Sequence, residues 1–381
     1  MPEPDKINVL FVNDHLGYAD GAWHGVTRYF MNVLPRVDVS RFTVGACFLR
    51  ERHEAATALE SLGITPLFLN RRTLDPRAFT DLVRVIRTRR IDVLHLCGMG
   101  GTFWGRMAAR WAGCRSVAQF HEASTMPEWV AFLQRRVAPW TDWSLAVSDT
   151  VRDWCGRRFG LPADRFETLP NGIPIEQFAV DRAEARDQIN RELHIDDASP
   201  VLAIVGRLSW EKGHQCLFEA LARIRSDLPN MTLLVIGDGE LRETLERSAG
   251  KLGLANHIRF LGFRTDVAEL LAASDLCVMA SLDEGMPLAI IEAQASGVPV
   301  VTTDVGGIPE IVENEVTALL VPPNDAVALG DAIRRVMLDE TLARQLVERS
   351  RSTVQRYGIE PHVHRLEAIY ASLATGGRVS S

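Results

Sequence analysis

The sequence predicts an α/β protein with two domains, each built on a parallel, doubly wound sheet. A chain of 381 residues is long enough for two domains of ordinary size. Short apolar runs alternate with helical patterns along both halves of the chain, which indicates parallel strands joined by helices. Glycine-rich loops with charged residues follow the runs at 7–12 and 201–205, where strands of such sheets meet a ligand crevice.

The composition narrows the class of protein. Hydrophobic residues make up 46% of the chain and charged residues 24%, as in soluble globular proteins. A net charge of −7 argues against nucleic acid as a partner, because binding phosphates needs a basic surface. We expect neither a signal peptide nor a transmembrane helix, since no apolar run is placed or long enough for either. The six scattered cysteines indicate reduced thiols and a cytoplasmic location.

In the first half, strand and helix patterns alternate up to a polar segment. The predicted strands are 7–12, 42–48, 66–69, 91–96, 117–120 and 144–147. Helices are predicted from about Thr27, at 54–62, at 79–89 and after 101. The segment 179–200 is polar, with one helix and no other core pattern. We therefore place the end of the first domain at residue 178.

The second half repeats the alternation from residue 201. The predicted strands are 201–205, 233–236, 258–261, 276–280, 298–302 and 318–321. The segment 326–373 is predicted to be helical, with an interruption near Tyr357 and Gly358. Asp238 and Glu240 follow the second of these strands; a turn before a helix explains them better than a metal site does. The second domain is placed at 179–355, followed by a terminal segment at 356–381.

The stretch 280–310 carries the pattern most specific to a function. Glu284 and Glu292 stand eight positions apart, and a helix is predicted from about Pro287, since proline suits a first helical turn. The first N–H groups of such a helix form an anion site. With 3.6 residues per turn, Glu292 would lie within roughly 80° of Glu284 around the axis. A sugar nucleotide would fit this arrangement, with its pyrophosphate between the two carboxylates.

A second candidate anion site follows the strand 201–205. The loop from Gly206 to Gly213 carries Arg207 and Lys212, five positions apart. Arginine offers a planar fork of donors and lysine a point charge, a combination that suits a diphosphate. A solvated charged turn is the alternative interpretation of this loop.

Both stretches resemble one family. E-x7-E from Glu284, followed by A-x-A-x-G-x-P-V-V and G-G-x-P-E, resembles the signature of the retaining glycosyltransferases of family 4, which have the GT-B fold. G-R-x-x-x-x-K-G from Gly206 resembles their loop for the donor diphosphate. The resemblance implies two facing Rossmann-like domains with an interdomain cleft. It also implies an acceptor-binding first domain, a nucleotide-sugar-binding second domain, and a helix in 356–381 that crosses back to the first domain.

The resemblance further implies an activity. A hexosyl unit would pass from a UDP- or GDP-linked sugar to the hydroxyl of a saccharide, lipid or small-molecule acceptor, with retention of anomeric configuration. Neither a cofactor nor a metal would be needed, because Arg207 and Lys212 can replace a cation. Synthesis of a bacterial polysaccharide, glycolipid or glycoconjugate is the expected setting. A sugar-nucleotide epimerase of the same fold and a non-catalytic nucleotide-sugar-binding protein remain alternatives.

Residue roles follow from the same resemblance. His121, at the end of the strand 117–120, and Glu284 would face the donor sugar and are the candidate catalytic residues. Glu292 would accept hydrogen bonds from ribose, and the loop at Phe263 would lie near the base. Beside Arg207 and Lys212, the predicted contacts of the diphosphate are Gly285, Met286, Pro287 and Leu288. The family's Gly-Gly loop in the first domain corresponds to His24-Gly25, so only Gly25 inherits its backbone contact.

The segment 127–140 is predicted to be an amphipathic helix with two interpretations. Its expected apolar face consists of Trp129, Phe132, Leu133 and Val137. Packing of this face into the core is one interpretation. The neighbouring Arg135 and Arg136 favour the other, a face for the acceptor or for peripheral contact with an anionic membrane.

Overall fold

Two parallel sheets organise the chain. The computed structural model describes residues 6–17, 25–123, 126–377 and 379. It divides into unit 1, Met1–Gly172 with Ile359–Ser381, and unit 2, Ile173–Gly358. The domain boundaries predicted from the sequence are 178/179 and 355/356. Within the described residues, no helix combines the length and the apolar character needed to span a bilayer.

The sheet of unit 1 has seven strands in the order β3-β2-β1-β4-β5-β6-β7, and all neighbouring strands pair in parallel. The strands are β1 Ile7–Asn13, β2 Phe42–Phe48, β3 Leu67–Phe68, β4 Val93–Leu96, β5 Arg115–Phe120, β6 Trp143–Ala146 and β7 Phe166–Thr168. The helices between them are α1 Gly25–Val33, α2 Ala56–Ser61, α3 Arg77–Arg89, α4 Met99–Ala112, α5 Glu128–Val137 and α6 Asp149–Phe159.

Side chains of β1 alternate between two cores, one on each face of the sheet. Val9 and Phe11 belong to the core under α1 and α2. Leu10 and Val12 belong to the core under α3 and α4. A strand covered on both faces reads as a continuous apolar run, which is why the pattern at 7–12 predicted it.

Unit 2 repeats this architecture with six parallel strands in the order β10-β9-β8-β11-β12-β13. The strands are β8 Val201–Val205, β9 Thr232–Ile236, β10 Ile258–Gly262, β11 Leu276–Met279, β12 Val300–Thr303 and β13 Leu319–Val321. The helices are α7 Arg182–Leu193, α8 His214–Ile224, α9 Arg242–Lys251, α10 Val267–Ala272, α11 Leu288–Ala295, α12 Ile308–Ile311, α13 Ala326–Leu338 and α14 Glu340–Val354. The predicted fold class, two α/β domains with parallel sheets, is confirmed.

The last helix, α15 Ile359–Ala374, belongs to unit 1. Its side chains Leu366, Ile369 and Tyr370 are fully buried in the same core as Phe11. Glu367 accepts a hydrogen bond from the backbone N–H of Asp38 at 2.7 Å. The helix thereby becomes part of the first sheet's packing, although it follows unit 2 in the chain.

Helix α5 turns only part of its predicted apolar face to the core, since Val137 is buried and Leu133 is half-buried. Trp129 is 57% exposed and Phe132 is 50% exposed, so the core-packing interpretation of these two residues is wrong. Gln134 is buried instead, because its amide donates to the carbonyl of Met99 at 2.7 Å and its oxygen accepts from Arg106 at 2.8 Å. These bonds satisfy the polar group inside the protein and free the aromatic face for the surface.

Candidate active site

Two predicted residues meet at the carboxyl-terminal edge of the second sheet. Lys212 Nζ lies 2.6 Å from Glu284 Oε1, although 72 positions separate them in the chain. Ser281 Oγ donates to the same carboxylate oxygen at 2.8 Å. The two loops converge because they leave β8 and β11, which are neighbours in the sheet. Charge-assisted bonds of this length are among the strong ones in proteins.

Two glycines allow neighbouring loops to approach closely. Gly213 does so for the loops after β8 and β11, and Gly306 for the loops after β11 and β12. Gly213 has a φ of +65°, and a Cβ there would lie 1.9 Å from the carbonyl oxygen of Ala280. Gly306 has a φ of +54°, and its Cβ would lie 1.8 Å from the carbonyl oxygen of Glu284. Any larger residue would push the loops apart, so the glycines of both predicted motifs serve close backbone approach. The N–H of Leu282 also bonds the carbonyl of Glu211 at 2.7 Å.

Arg207 pairs with two carboxylates, neither of which is the one that pairs with Lys212. Its guanidinium lies 2.9 Å from Glu211 Oε1 and 3.3 Å from Glu240 Oε2. Burial opposes ionisation of Glu211, but hydrogen bonds from Ser209 and Arg207 outweigh it and lower the pKa of that carboxyl. The arginine is therefore oriented by two acidic residues, one of them, Glu240, half-exposed at the surface.

Helix α11 begins one residue later than predicted. Pro287 is its N-cap residue, with an extended ψ of 113°, and the helix starts at Leu288. Glu284 lies in the preceding loop rather than on the helix, so the predicted angle of roughly 80° between two helical carboxylates is wrong. Glu292 sits on the helix and is only 1% exposed. Gly285, Met286 and Pro287 are buried, in the loop that carries Glu284 to the start of the helix, and Leu288 is half-buried.

Phe263 follows β10, two strands away from β8 in the sheet order. Its ring is 42% exposed. The adjacent Arg264 is paired with Asp266 and Glu192, and the hydrogen bond from Arg264 lowers the pKa of Asp266. The loop is therefore tied by ion pairs, while its aromatic ring faces outward.

The remaining predicted residues lie in unit 1. Gly25 is the exposed first residue of α1, and His24 lies outside the described residues. His121 follows β5 and is half-buried. Its Nε2 lies 3.7 Å from Cys97 Sγ, and its ring lies against that of Tyr29 with the centroids 5.0 Å apart.

Unit 1 contains a feature that sequence reasoning missed. The carboxylate of Asp14, which follows β1, accepts hydrogen bonds from the N–H groups of Gly101 at 2.7 Å and Gly100 at 3.1 Å. The start of α4 is therefore occupied by the chain's own anion. Burial raises the pKa of Asp14, and the backbone bonds oppose that shift.

Ser281 was also missed, and Glu240 was interpreted only as part of a turn before a helix, with no role beside Arg207. A serine three positions before Glu284 and an acidic residue after a glycine turn carry no signal of their own. Their roles depend on the order of the strands, which brings distant loops together.

Comparison with known proteins identifies the family. Residues 23–177 match the model of Glycosyltransferase Family 4, and residues 185–353 match that of Glycosyl transferases group 1. The two matches together span most of both units.

Curated relatives cover most of the chain. The UDP-Gal:alpha-D-GlcNAc-diphosphoundecaprenol alpha-1,3-galactosyltransferase of Escherichia coli is 28% identical over 78% of this chain and 80% of its own. The phosphatidyl-myo-inositol mannosyltransferase of Mycobacterium leprae is 29% identical over 75% of each chain.

Solved structures share the fold. Anabaena Alr3699/HepE in complex with UDP has a TM-score of 0.83 and 22% identity, over 96% of this chain and all of that one. The sucrose-phosphate synthase of Thermosynechococcus elongatus has a TM-score of 0.80 and 21% identity, over 98% of this chain and all of that one. The chain belongs to glycosyltransferase family 4: it is a hexosyltransferase of the GT-B fold that takes its sugar from a nucleotide sugar.

Proposed function

We propose that the protein transfers a hexosyl unit from a UDP- or GDP-linked sugar to an acceptor hydroxyl, with retention of the anomeric configuration. The contact between Lys212 and Glu284 carries the proposal. It places a cation suited to a diphosphate beside a carboxylate suited to sugar hydroxyls, just before the start of α11. A galactosyltransferase and a mannosyltransferase among the relatives support a hexose.

The proposed reaction breaks the bond between the anomeric carbon and the diphosphate oxygen. The acceptor oxygen bonds to the same face of the sugar, and its proton passes to the departing phosphate, so no nucleophile of the protein is required. Arg207 and Lys212 neutralise the charge that develops on the leaving group, as electrostatic catalysis demands. The positive end of α11 adds to this stabilisation.

Donor binding exchanges partners within the site. Lys212 is bound to Glu284 in the structure, and Arg207 is bound to Glu211 and Glu240. A diphosphate competes for both cations. As Lys212 turns toward phosphate, the oxygen of Glu284 that it held can accept a hydrogen bond from the donor sugar.

The other predicted residues complete the proposed donor site. Glu292 binds the ribose, and the exposed ring of Phe263 lies beside the base. The segment 285–288 supplies backbone contacts to the diphosphate. The proposed ligand of His121 is the donor sugar, and the proposed ligands of the Gly25 backbone are the donor phosphate and the acceptor.

We propose further that α5 brings the protein to its acceptor at an anionic membrane surface. Trp129 and Phe132 are exposed on this helix, and the guanidinium of Arg136 lies 4.8 Å from the centroid of the Phe132 ring. Exposed aromatic rings beside arginines suit an interface with anionic lipid. The names of the two relatives include lipid-linked acceptors, which supports a lipid or lipid-linked saccharide acceptor in bacterial glycolipid or polysaccharide synthesis.

Co-sedimentation with vesicles tests this part. Wild type is expected to bind phosphatidylglycerol vesicles more strongly than phosphatidylcholine vesicles, and Trp129→Ser/Phe132→Ser is expected to lose most of that binding. Trp210→Ser removes an aromatic side chain of similar exposure in unit 2 and is the control. Equal binding by wild type and the α5 variant would remove the helix from the interface.

The free cysteines support a cytoplasmic site of action.

Proton NMR of the products tests the reaction itself. The full chain is incubated with UDP-glucose, UDP-galactose, UDP-N-acetylglucosamine or GDP-mannose, with and without lipid-linked saccharides. An α-linked product, or α-sugar formed first on hydrolysis, supports transfer with retention. A β-product contradicts retention. An epimerised nucleotide sugar without acceptor would favour an epimerase, and binding without turnover would favour a non-catalytic protein.

A further inference from the structure

A cluster of buried polar side chains lies behind His121 in unit 1. His95 comes from β4, Cys97 directly follows that strand, and Gln119 comes from β5, next to β4 in the sheet. Tyr29 comes from α1, and α15 adds His362. All five are at most 4% exposed, which is unusual for so many polar groups.

The side chain of Cys97 lies directly against the predicted catalytic imidazole. Its sulfur is 3.7 Å from His121 Nε2, within hydrogen-bonding distance for sulfur. Burial raises the pKa of Cys97, so it remains a thiol at neutral pH. A thiol can donate to, or accept from, a ring nitrogen and so limits rotation of the imidazole about its side chain.

Tyr29 limits the same ring from a second direction. The planes of the two rings meet at 64°, the edge-to-face geometry that aromatic pairs prefer. The hydroxyl of Tyr29 is 3.1 Å from His362 Nε2. The tyrosine therefore has a fixed position before any ligand binds.

His362 connects this arrangement to the places where the chain passes between units. Its Nδ1 lies 2.8 Å from the carbonyl oxygen of Pro170. Pro170 is the third residue before the boundary at 172/173, and His362 is the fourth residue after the boundary at 358/359. The hydrogen bond between Pro170 and His362 thus joins the two segments of unit 1 that lie next to its boundaries with unit 2, and His362 also contacts Tyr29.

We propose that Cys97 and Tyr29 are positioning residues that orient the imidazole of His121 for the donor sugar, and that His362 holds Tyr29 in place. The inference rests on the proposed function, because it assumes that His121 contacts the donor. Core packing of the same side chains is the alternative, and it predicts effects on stability without a specific effect on His121.

The orientation of His121 can be measured without turnover. The full chain is labelled with 13C-histidine, and His121→Ala identifies the His121 signal among those of the ten histidines. Cys97→Ala is expected to shift the His121 Cε1 resonance and its titration midpoint, and Cys97→Ser to restore much of both. Cys47→Ala is the matched control, because Cys47 is equally buried in the same sheet, on β2.

The catalytic consequence is measured with the nucleotide sugar that gives the most product. Cys97→Ala and Tyr29→Leu are expected to lower kcat about tenfold, since small displacements of a positioned group are costly. The Kd for the free nucleotide should change less than about twofold, because its proposed site lies in unit 2. Cys97→Ser should recover most of kcat, and Cys47→Ala should resemble wild type.

The outcomes distinguish the proposed role of His121 from the proposed positioning roles of Cys97 and Tyr29. If His121→Ala retains full activity, the proposed role of His121 fails, whatever the signals show. If His121→Ala is inactive while Cys97→Ala and Tyr29→Leu leave kcat and the His121 signal unchanged, only the positioning inference is overturned. A loss of melting temperature with unaltered kcat and signal also overturns it, since core packing explains that result.

Discussion

The starts of α4 and α11 show how one architecture yields two different sites. Both helices follow a strand at the carboxyl-terminal edge of a parallel sheet, where an anion is favoured. In unit 1, the carboxylate of Asp14 occupies this place and bonds the N–H groups of Gly100 and Gly101. In unit 2, the N-cap residue is Pro287, and Lys212 lies next to the loop before it, bonded to Glu284.

The difference comes from the loop that follows the first strand of each unit in chain order, which is β1 in unit 1 and β8 in unit 2. After β1 the loop begins with Asp14, which supplies an internal anion. After β8 the loop carries Arg207 and Lys212, which we propose supply cations for an external anion. The comparison teaches that a helix start favours an anion in both units, and that the loop after β1 or β8 decides whether the chain's own anion or, as we propose, a ligand's anion lies there.

The largest expected effect is that of Glu284→Gln. We expect the rate of transfer to fall at least about a hundredfold. The neutral amide cannot replace the carboxylate of Glu284, which pairs with Lys212 and is proposed to bind the donor sugar. UDP or GDP binding should change only a few-fold, as the cations remain. Steady-state kinetics and calorimetry measure the two effects. Asp283→Asn changes the exposed neighbouring carboxylate and is the control; equal losses in both variants would remove Glu284 from the mechanism.

Lys212→Ala should cost about tenfold or more in kcat/KM. The expected loss follows from one charge-assisted bond, worth about 1.5–3 kcal/mol. Lys251→Ala, an exposed lysine on α9 of the same unit, should behave as wild type. A kcat/KM within twofold of wild type for Lys212→Ala would show that the diphosphate binds elsewhere.

Asp14→Ala tests the other half of the comparison. Two buried N–H groups lose their acceptor, so we expect a loss of about 2 kcal/mol in the free energy of unfolding. Denaturant titration followed by circular dichroism measures it. Added sulfate should stabilise this variant more than wild type, because the start of α4 then accepts an external anion. No difference in the sulfate response would contradict the proposed equivalence of the two helix starts.

Unit 1 should be more sensitive to acid than unit 2. Burial lowers the pKa of His95 to about 3 and that of His362 to about 4, against 6.5 for an ordinary histidine. As pH falls, the unfolded chain binds these protons at a higher pH than the folded chain does. The contribution of the two neutral histidines to the free energy of unfolding is therefore complete above about pH 6.5 and is lost as pH falls toward 4. His362→Gln should flatten this slope by about 1.4 kcal/mol per pH unit. In unit 2, burial lowers the pKa of His214 to about 4, so His214→Gln is the matched comparison.

The smallest effect is expected for Glu240→Gln. Glu240 is half-exposed and pairs with Arg207, for which we propose that it competes with a diphosphate. Its removal should raise the affinity for UDP or GDP by less than about threefold, as exposed ion pairs are weak. A reduced affinity would show that Glu240 orients Arg207 for the ligand instead of competing with it.

The strands were the part of the fold most open to prediction. The structure reproduces the predicted bounds of β2 at 42–48 and of β8 at 201–205. Parallel strands are buried on both faces and therefore appear as short, continuous apolar runs. Helix ends were less predictable. The predicted interruption near Tyr357 and Gly358 is present, but α13 and α14 are also separated at Asp339, whose carboxylate caps the second helix and which the sequence did not predict as a break.

The sequence pattern suggests which residues belong to the candidate site, but it does not reveal their contacts. The spacing of Glu284 and Glu292 suggested a shared helix, whereas Glu284 belongs to the loop before it. Its bond to Lys212 depends on the adjacency of β8 and β11, which one sequence does not reveal. Burial of Gln134 and His362 was also unpredictable, because each depends on partners distant in the chain.

Calorimetric titration of UDP and GDP tests the central claim, that the cations of 206–213 and the start of α11 bind the diphosphate together. Wild type is compared with Arg207→Ala/Lys212→Ala and with Arg247→Ala, an exposed arginine on α9. We predict that wild type and Arg247→Ala bind one of the nucleotides equally well, and that the double variant binds it at least about a hundredfold more weakly. Unchanged affinity in the double variant, or no binding of either nucleotide by wild type, would contradict the account.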